Sequence, residues 1–437
     1  MNNTLEIFKE ITQIEHCSKN TNKLLDYLIS KAIEYNYEYK TDTAGNLYTY
    51  KLGNTICLQS HYDMVCIGKA PNIEIYEEVE DNGINYLKAN NSSLGADNGM
   101  GVAMILNLMS QNKNISGLFT NDEEIGLIGA NDLEINITEK YIINLDSEDE
   151  GDVFIGCAGG VDIISTLDLE FTDKERNLDF YELTTINYQG GHSGLEIDKE
   201  IPNAIIDLVN EIKDLPVELV SINGGEKRNS IPVNCSIIVG VEKKRALKIY
   251  NNNIQVRMIE NSTFKTIKNQ EDILEAIGLF KDGVIKFNEE LEIPQTSINL
   301  AIISTSDINN KIEIAISARS MDNQELEDLV GVVELFFSIY KHNIKYEYKY
   351  PAWKPEKTEL SNIVLEESRK MFKNASFTAI HAGLECGLLK DKFPNVEIVS
   401  FGPNIYSPHT NKEKVDLNSV IKVDKLLGNI IEVLNKK

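Results

Sequence analysis

Three short apolar runs, separated by helical spacing, constrain the fold of this chain more than any other feature. The runs Thr55–Ser60, Ile115–Thr120 and Tyr141–Leu145 have the length and apolar character of buried strands. Between the first two, Asn98–Gln111 has the spacing of a helix, and Leu5–Asn36 predicts two further helices before the first strand. The succession of strand, helix and strand predicts the α/β class, with a mixed sheet covered by helices.

Acidic and histidine side chains stand at the ends of these predicted elements. They are His61 and Asp63 after the first strand, Glu123 and Glu124 after the second, Asp146 after the third, and Asp97 just before the helix. Sites on α/β sheets lie at the carboxyl ends of the strands, so these side chains are expected to meet. In addition, Asp63 is expected to accept the ring N–H of His61 and to orient it.

Together with His409, these residues suit a site for two divalent metal ions. Five oxygen or imidazole donors with one shared carboxylate would hold the ions, and an unbound Glu would accept a proton from water. Each motif also has an ordinary explanation. Asp97 could cap a helix, the pair Glu123–Glu124 could be solvated surface, and His-x-Asp is a weak motif. All of these coincidences together are less plausible than metal binding.

A change in the pattern of predicted strands and helices predicts a second domain inserted into the first. Between Tyr181 and Tyr348 the chain alternates strands with a few helices, and from Lys357 the α/β pattern returns. His409 falls in this returning part, so the first domain is expected to be discontinuous. The expected division is a catalytic domain at 1–180 and 355–437, with an inserted α+β lid domain at 181–354.

Composition excludes several classes of partner. The chain has 43 basic and 68 acidic residues and a formal charge of −25, which disfavours nucleic acid and anionic membranes. No run of about 18 apolar residues and no secretory signal is present, so a cytoplasmic location without a membrane span is expected. The six cysteines are dispersed without a Cys-x-x-Cys pair, and neither a disulfide framework nor a thiolate zinc site is expected.

Several longer motifs resemble the dizinc aminoacylase/carboxypeptidase family of metallopeptidases, over nearly the whole chain. Within that family the sequence is similar to the aminoacyl-histidine dipeptidase branch, also called peptidase D or cytosolic nonspecific dipeptidase. The motifs that carry the resemblance are His61–Val65, Ser93–Gly99, Thr120–Gly126, Gly156–Gly160, Tyr350–Pro355 and His381–Gly387.

The resemblance implies a role for each candidate residue of the first domain. Asp97 would bridge the two metals, His61 and Asp146 would complete one site, and Glu124 and His409 would complete the other. Glu123 would be the general base, and Asp63 would orient His61. One departure is the loop Tyr406–Glu413, where the residues around His409 differ from the usual family pattern, which leaves its shape and the substrate preference open.

In the lid domain, the resemblance implies that His192 stabilises the oxyanion, either within one chain or across a dimer. A donor on a mobile lid would arrive only when substrate is bound. Asn229 and Arg319 would hold the backbone and C-terminal carboxylate of the substrate, and Gly383 would offer backbone N–H groups. Arg319 could instead be an ordinary cation at a strand end. The roles of His381 and Glu385 are left open.

The implied function is hydrolysis of dipeptides with a free C-terminal carboxylate, of Xaa-His type or of broad specificity. A water shared by the two metals would be the nucleophile, and Glu123 the general base. Zn²⁺ is the expected metal, with Mn²⁺ and Co²⁺ as alternatives. Alternatives in function are a related aminoacylase, tripeptidase or carboxypeptidase, or a non-catalytic metal-binding homologue. The expected partner is a small peptide, and a homodimer through the lid domain is left open.

Overall fold

The chain divides into two compact units. A computed structural model describes residues 3–172, 177–243, 245, 247–260, 264–306 and 308–436. Unit 1 comprises Met1–Cys157, Pro355–Ala379 and Leu384–Lys437, and unit 2 comprises Ala158–Lys354 and Ile380–Gly383. Unit 1 is therefore discontinuous in sequence, with the longer part of unit 2 inserted between its first two segments.

Unit 1 is built on an eight-stranded mixed sheet. With strands numbered along the chain, its spatial order is β1 (Glu38–Thr41), β2 (Leu47–Tyr50), β6 (Ser116–Thr120), β3 (Ile56–His61), β7 (Tyr141–Asn144), β21 (Glu397–Ser400), β8 (Asp152–Cys157) and β20 (Ser376–Ile380). The inner pairs β6–β3, β3–β7 and β7–β21 are parallel. Their carboxyl ends consequently meet at one edge of the sheet, as the strand-end acids require.

Helices cover this sheet. In unit 1 they are α1 (Asn3–Ile11), α2 (Asn22–Glu34), α3 (Ala96–Ser110), α4 (Ile128–Asn131), α8 (Glu359–Arg369), α9 (Glu385–Lys392) and α10 (Leu417–Leu434). Strand β3 is buried at all six positions, which is typical of a central strand with both faces covered. Helix α3 is buried on nearly every side, which explains its almost continuous apolar sequence.

A second, four-stranded sheet in unit 1 lies beside the His409 loop. Its spatial order is β22 (Ile405–Tyr406), β23 (Lys414–Asp416), β5 (Asn85–Ala89) and β4 (Ile75–Val79). The loop that carries His409 joins β22 to β23, which pair antiparallel. Both ends of this loop are thus fixed by the small sheet.

In its described residues, unit 2 contains a nine-stranded sheet and three α-helices. Eight strands run in the order β15 (Ile254–Ile259), β10 (Leu178–Thr185), β14 (Cys235–Glu242), β12 (Glu218–Gly224), β17 (Ile293–Ser306), β18 (Lys311–Ser320), β9 (Gly159–Asp168) and β19 (Asn343–Tyr350), and β16 (Gly283–Asn288) also pairs with β17. The helices are α5 (Ala204–Ile212), α6 (Gln270–Leu279) and α7 (Asn323–Ile339). A separate two-stranded ribbon pairs β11 (Gly191–His192) with β13 (Ser230–Ile231).

The α/β class is confirmed, with a mixed sheet covered by helices and an inserted α+β unit. The first boundary, however, lies at 157/158 and not at 180/181. The reason is that β9 pairs along its length with β18 and also with β19, both of which belong to unit 2. Strand β9 follows β8 almost immediately in the sequence, and nothing in the local sequence indicates that the two strands belong to different sheets.

The cysteines differ in part from the expectation. Cys17 and Cys66 form a disulfide with Cα atoms 5.5 Å apart, 49 residues apart in sequence. The other four, Cys57, Cys157, Cys235 and Cys386, are buried free thiols. Among the residues described, no helix has both the length and the apolar character needed to cross a membrane.

Candidate metal centre

The carboxylate of Asp97 faces two different imidazoles. Its Oδ1 lies 3.1 Å from Nε2 of His61, and its Oδ2 lies 3.1 Å from Nε2 of His409. Asp97 stands in the first turn of α3, whereas His61 ends β3 and His409 lies on the β22–β23 loop. A carboxylate whose two oxygens point to separate nitrogen donors has the arrangement of a group shared between two cations.

Two further carboxylates complete a group of donors on each side of Asp97. The ligand atoms of His61, Asp97 and Asp146 all lie within 4.8 Å of one another, and so do those of Asp97, Glu124 and His409. Nε2 of His61 is 3.3 Å from Asp146, and Nε2 of His409 is 2.8 Å from Glu124. These are the two groups that the family resemblance implied. A third group, His61 with Glu123 and Glu124, satisfies the same distance limit.

The electrostatics of this cluster favour bound cations. Burial, followed by the charge of neighbouring acids, raises the pKa of Asp146 and of Glu124 above their usual values. The neighbouring carboxylates of Asp97 and Glu124 raise the pKa of His409 to about 11. For His61, burial lowers the pKa, but Asp146, Asp63 and Asp97 together outweigh this and raise it well above 6.5. Such a concentration of buried acids calls for compensating positive charge.

The donor set fits divalent metal ions. Oε1 of Glu124 is buried and lacks a hydrogen-bond partner among the described residues, although His409 is close to it. An orphaned buried carboxylate oxygen beside an imidazole nitrogen is explained if both face a common ion. Carboxylate oxygens and imidazole nitrogens together suit Zn²⁺ and neighbouring divalent metals. Asp97, the shared carboxylate, would bridge the two.

Glu123 differs from its neighbour Glu124. Burial, and then the like charges of Asp146, Glu385 and Glu124, raise the pKa of Glu123 well above 4.5 against the opposing effect of His61. The residue lies in a short 3₁₀ turn, Glu123–Ile125, that two residues separate from the end of β6. Both carboxylates lie near the imidazole of His61, but only Glu124 also belongs to the group with Asp97 and His409.

Asp63 contacts both the imidazole of His61 and the Glu123–Glu124 turn. Nδ1 of His61 is 3.0 Å from the backbone carbonyl of Asp63 and 3.4 Å from its carboxylate. The carboxylate instead accepts hydrogen bonds from Oγ of Ser18 and from the backbone N–H groups of Glu123 and Glu124. Asp63 thereby orients His61 mainly through its main chain, and it fixes the Glu123–Glu124 turn through its side chain.

A polar network beneath the donors was not found from the sequence. Oε2 of Glu385 accepts hydrogen bonds from Gln59 (2.6 Å) and Thr120 (2.8 Å), and Gln59 also accepts one from Asn144 (2.5 Å). Gln59 and Asn144 stand two positions before His61 and Asp146, so they share a side of their strands with these donors. The sequence signal for this network is the presence of two amide side chains, Gln59 and Asn144, inside otherwise apolar strands.

The remaining candidate residues lie in unit 2. Nδ1 of His192 accepts hydrogen bonds at 3.1 Å from the backbone N–H groups of Gly194 and Leu195. A ring nitrogen that accepts carries no proton, so the neutral ring has its proton on Nε2. Burial and then the charge of Arg319 lower the pKa of His192, which favours this neutral form. His192 is therefore prepared to donate a hydrogen bond from Nε2.

Arg319 is held in place by Tyr350. Its Nη1 donates to the hydroxyl of Tyr350 at 2.7 Å, and the side chain is only 8% exposed. A Cβ on Gly383 would lie 2.7 Å from the Tyr350 ring, which explains why this position has no side chain. His381 lies 2.7 Å from Oγ of Ser297, and burial, followed by the charge of Arg319, lowers its pKa to about 3.

Asn229 presents its main chain to the His192 segment. Its backbone carbonyl accepts a hydrogen bond from the N–H of Ser193 at 2.9 Å, while its side chain is exposed. The ribbon β11–β13 brings these segments together, since His192 pairs with Ser230. Three of the expected unit 2 residues, His192, Asn229 and Arg319, thus belong to ordered strands or turns next to strands.

The sequence is similar to known proteins over nearly its whole length. The model of a family described as Peptidase family M20/M25/M40 matches residues 57–433. The chain is 29% identical to the cytosol non-specific dipeptidase of Escherichia coli (strain K12), over 99% of this chain and 97% of that protein.

Solved structures show the same likeness. The aminoacylhistidine dipeptidase from Vibrio alginolyticus matches with a TM-score of 0.84 and 27% identity, covering 98% of this chain and 96% of the other. A tripeptidase from Staphylococcus aureus subsp. aureus Mu50 matches with a TM-score of 0.65 and 18% identity, over 100% and 98% of the two chains. The latter likeness shows the fold alone.

Asp63→Asn is expected to weaken metal binding by about 10- to 100-fold without unfolding the protein. The carboxylate of Asp63 accepts hydrogen bonds from backbone and hydroxyl donors, and the NH₂ group of an amide cannot accept them. The Glu123–Glu124 turn would therefore be held less firmly. Competition with a chromophoric chelator measures the affinity. Ser18→Ala, which removes one donor to the same carboxylate and keeps the charge, is the control and should lose less. Unchanged affinity in Asp63→Asn would show that this carboxylate does not support the centre.

Proposed function

Because this chain belongs to peptidase family M20/M25/M40, we propose that it hydrolyses dipeptides that carry a free C-terminal carboxylate. The names of the Escherichia coli and Vibrio alginolyticus relatives, a cytosol non-specific dipeptidase and an aminoacylhistidine dipeptidase, support this substrate class. The proposed preference is Xaa-His dipeptides or a broad range of dipeptides. The observation that carries the proposal is the carboxylate of Asp97, which faces His61 and His409 with separate oxygens.

The proposed cofactor is a pair of divalent ions, with Zn²⁺ preferred over Mn²⁺ or Co²⁺ by the general order of affinities. His61 and Asp146 would hold one ion, Glu124 and His409 the other, and Asp97 both. When bound, such ions polarise a carbonyl group and make water a stronger nucleophile at neutral pH. The orphaned oxygen of Glu124 and the shared position of Asp97 support this assignment.

Glu123 is the proposed general base. Its carboxylate would take a proton from the attacking water and later give it to the departing amine, so that the peptide bond is replaced by an acid and a free amine. The raised pKa of Glu123 supports the second step, because a carboxyl group with a high proton affinity retains the proton until the amine accepts it. Asp63 would keep this carboxylate in position through the backbone N–H of Glu123.

Unit 2 would supply the groups that recognise the substrate. His192, neutral with its proton on Nε2, is the proposed donor to the carbonyl oxygen as negative charge develops there. Arg319 is the proposed partner of the substrate carboxylate, since a guanidinium pairs with a carboxylate in a fixed geometry. Asn229 and Gly383 are proposed to bind the substrate backbone.

A first test is a panel of peptides with protein stripped of metal and reloaded with Zn²⁺, Mn²⁺ or Co²⁺. We expect metal-dependent cleavage of dipeptides, including Xaa-His, to exceed cleavage of tripeptides and of acylated amino acids. Preference for tripeptides or acylated amino acids would reassign the chain to a tripeptidase or aminoacylase activity. Bound metal without any hydrolysis would favour a non-catalytic homologue.

A second test separates the two adjacent acids. Glu123→Gln is expected to retain both metals and to lose about 10²- to 10⁴-fold in kcat, because general base catalysis typically contributes that much. Glu124→Gln serves as the matched control, since it should lose one metal along with activity. Elemental analysis of both variants beside their kinetics gives the comparison. Wild-type turnover in Glu123→Gln would refute the assignment of the base.

We also propose that the chain forms a homodimer through unit 2. Val332, Leu335 and Ile339 form an apolar stripe on the outer face of α7, each more than 60% exposed. Beside the stripe is a groove of about 500 Å³, flanked by the cations Lys281 and Lys286 and the acids Glu325 and Asp328. Charges of both signs suit a two-fold interface, where one surface meets its own copy. A chain of charge −25 otherwise repels its copies.

Leu335→Glu is expected to convert a dimer into a monomer, because it buries a carboxylate in an apolar contact. Light scattering coupled to size-exclusion chromatography measures the mass. Leu52→Glu is the control, since Leu52 is 92% exposed in unit 1 and should leave the mass unchanged. A monomeric wild type at micromolar concentration would contradict the proposed dimer.

The proposed location is the cytoplasm, supported by the name of the Escherichia coli relative. Cytoplasmic thiol pools keep most cysteines reduced. In that compartment the Cys17–Cys66 pair would be present mainly as two thiols.

A further inference from the structure

The carboxylate of Glu413 binds the main chain at the start of α3. One oxygen accepts the N–H groups of Leu94 (2.6 Å) and Gly95 (3.0 Å), and the other accepts those of Ala96 (2.7 Å) and Asp97 (3.3 Å). Glu413 is 3% exposed. A single buried side chain thus satisfies four successive backbone donors, including the N–H of the shared metal ligand.

A local side chain caps only the regular part of α3. Asp97 and Asn98 have non-helical backbone angles, so the regular helix begins after them, and Oδ1 of Asn98 accepts the N–H of Gly101 at 3.1 Å. The N–H groups of residues 94–97 precede that cap, and the turn they form contains Gly95, which has no side chain to accept them. Its φ of +72° and the nearness of Met64 Sδ, 2.8 Å from where a Cβ would stand, disfavour any other residue. The acceptor for these N–H groups therefore comes from a residue more than 300 positions later in the chain.

The other end of this contact is the loop that carries His409. Within that loop the N–H of Glu413 donates to the carbonyl of Thr410, and Oγ of Thr410 donates to the carbonyl of Ser407. These bonds make the segment between His409 and Glu413 compact. The His409 side chain is 48% exposed, while the side chains of the other four donors are at most 13% exposed. Packing fixes this ring less than theirs, so its position depends on the loop.

We propose that Glu413 is a positioning residue that sets the distance between Asp97 and His409 and so forms the half of the metal centre that contains them. The inference rests on the proposed two-metal site. Glu413 acts through the backbone of the Asp97 turn and through its own loop, and it has no direct part in binding an ion. The half-site of His61 and Asp146 depends on strands β3 and β7, whereas the hydrogen bonds of the Glu413 carboxylate go to the turn that contains Asp97.

The alternative is that Glu413 only caps α3. A cap contributes to stability, and its loss would lower the melting temperature and disturb both half-sites to the same extent. A positioning residue predicts unequal effects on the two ions. The number and affinity of bound metal ions therefore distinguish the two roles, and activity alone does not.

The informative variant is Glu413→Gln. An amide keeps one acceptor oxygen but turns an NH₂ group toward two backbone donors, so two of the four hydrogen bonds are lost. Glu413→Asp keeps the charge and withdraws it by one methylene. Glu139→Gln is the matched control, because Glu139 is also a buried carboxylate of unit 1, 4% exposed, and accepts hydrogen bonds from Tyr48 and Thr138 outside the metal centre.

Zn²⁺ and Co²⁺ titrations of the stripped full-length proteins, by calorimetry and by Co²⁺ absorption, count the sites and their affinities. We expect two tight sites in the wild type and in Glu139→Gln. In Glu413→Gln we expect one tight site and one weakened about 10- to 100-fold, as for other residues that orient ligands. Glu413→Asp should weaken the same site by a smaller factor. Excess metal should restore much of the lost kcat of Glu413→Gln.

Two outcomes would overturn the inference alone. One is that Glu413→Gln and Glu413→Asp both bind their two metal ions with wild-type affinity. The other is equal weakening of both sites accompanied by a lower melting temperature. A wild type that binds fewer than two ions would instead contradict the proposed function, and this inference would fall with it.

Discussion

The repulsion among buried carboxylates is the constraint on which the rest of the site depends. Asp97, Glu123, Glu124 and Asp146 lie close to two imidazoles in a region where burial already disfavours charge. A folded protein tolerates such a cluster only if cations compensate it or if protons neutralise it. The backbone around each acid is correspondingly well hydrogen-bonded, which keeps the acids from separating.

Carboxylates outside the donor set do much of this work. Asp63 holds the Glu123–Glu124 turn, Glu413 holds the Asp97 turn, and Glu385 links the strands of Gln59 and Thr120. Each of these carboxylates accepts hydrogen bonds from main-chain, amide or hydroxyl groups rather than from a donor atom of the centre. The positions of the donors are thus fixed by directional hydrogen bonds of the residues behind them. Contacts among the donors themselves cannot fix these positions, because their like charges repel.

The sequence predicted the strands and the strand-end donors because both signals are local. Apolar runs of five or six residues predicted buried strands, and the positions of His61, Glu124 and Asp146 after these runs made them candidates that were expected to meet. The resemblance added the pairing of donors between two ions. By contrast, the Cys17–Cys66 disulfide, the boundary at 157/158 and the contact of Glu413 with Asp97 join segments far apart or mark a change of sheet. Local patterns carry no information about such contacts.

The two halves of the centre therefore differ in how the fold builds them. His61 is the last residue of β3 and Asp146 lies two positions beyond the end of β7, and the spacing of these neighbouring parallel strands is fixed by backbone hydrogen bonds. His409 comes from a loop of the small sheet, and its ring is the most exposed of the donors. A displacement of the loop would therefore change the distance from Asp97 to His409 more than the distance from Asp97 to the buried ring of His61. A buried anchor between the loop and the Asp97 turn limits that displacement, and this explains why a charged residue is buried at position 413.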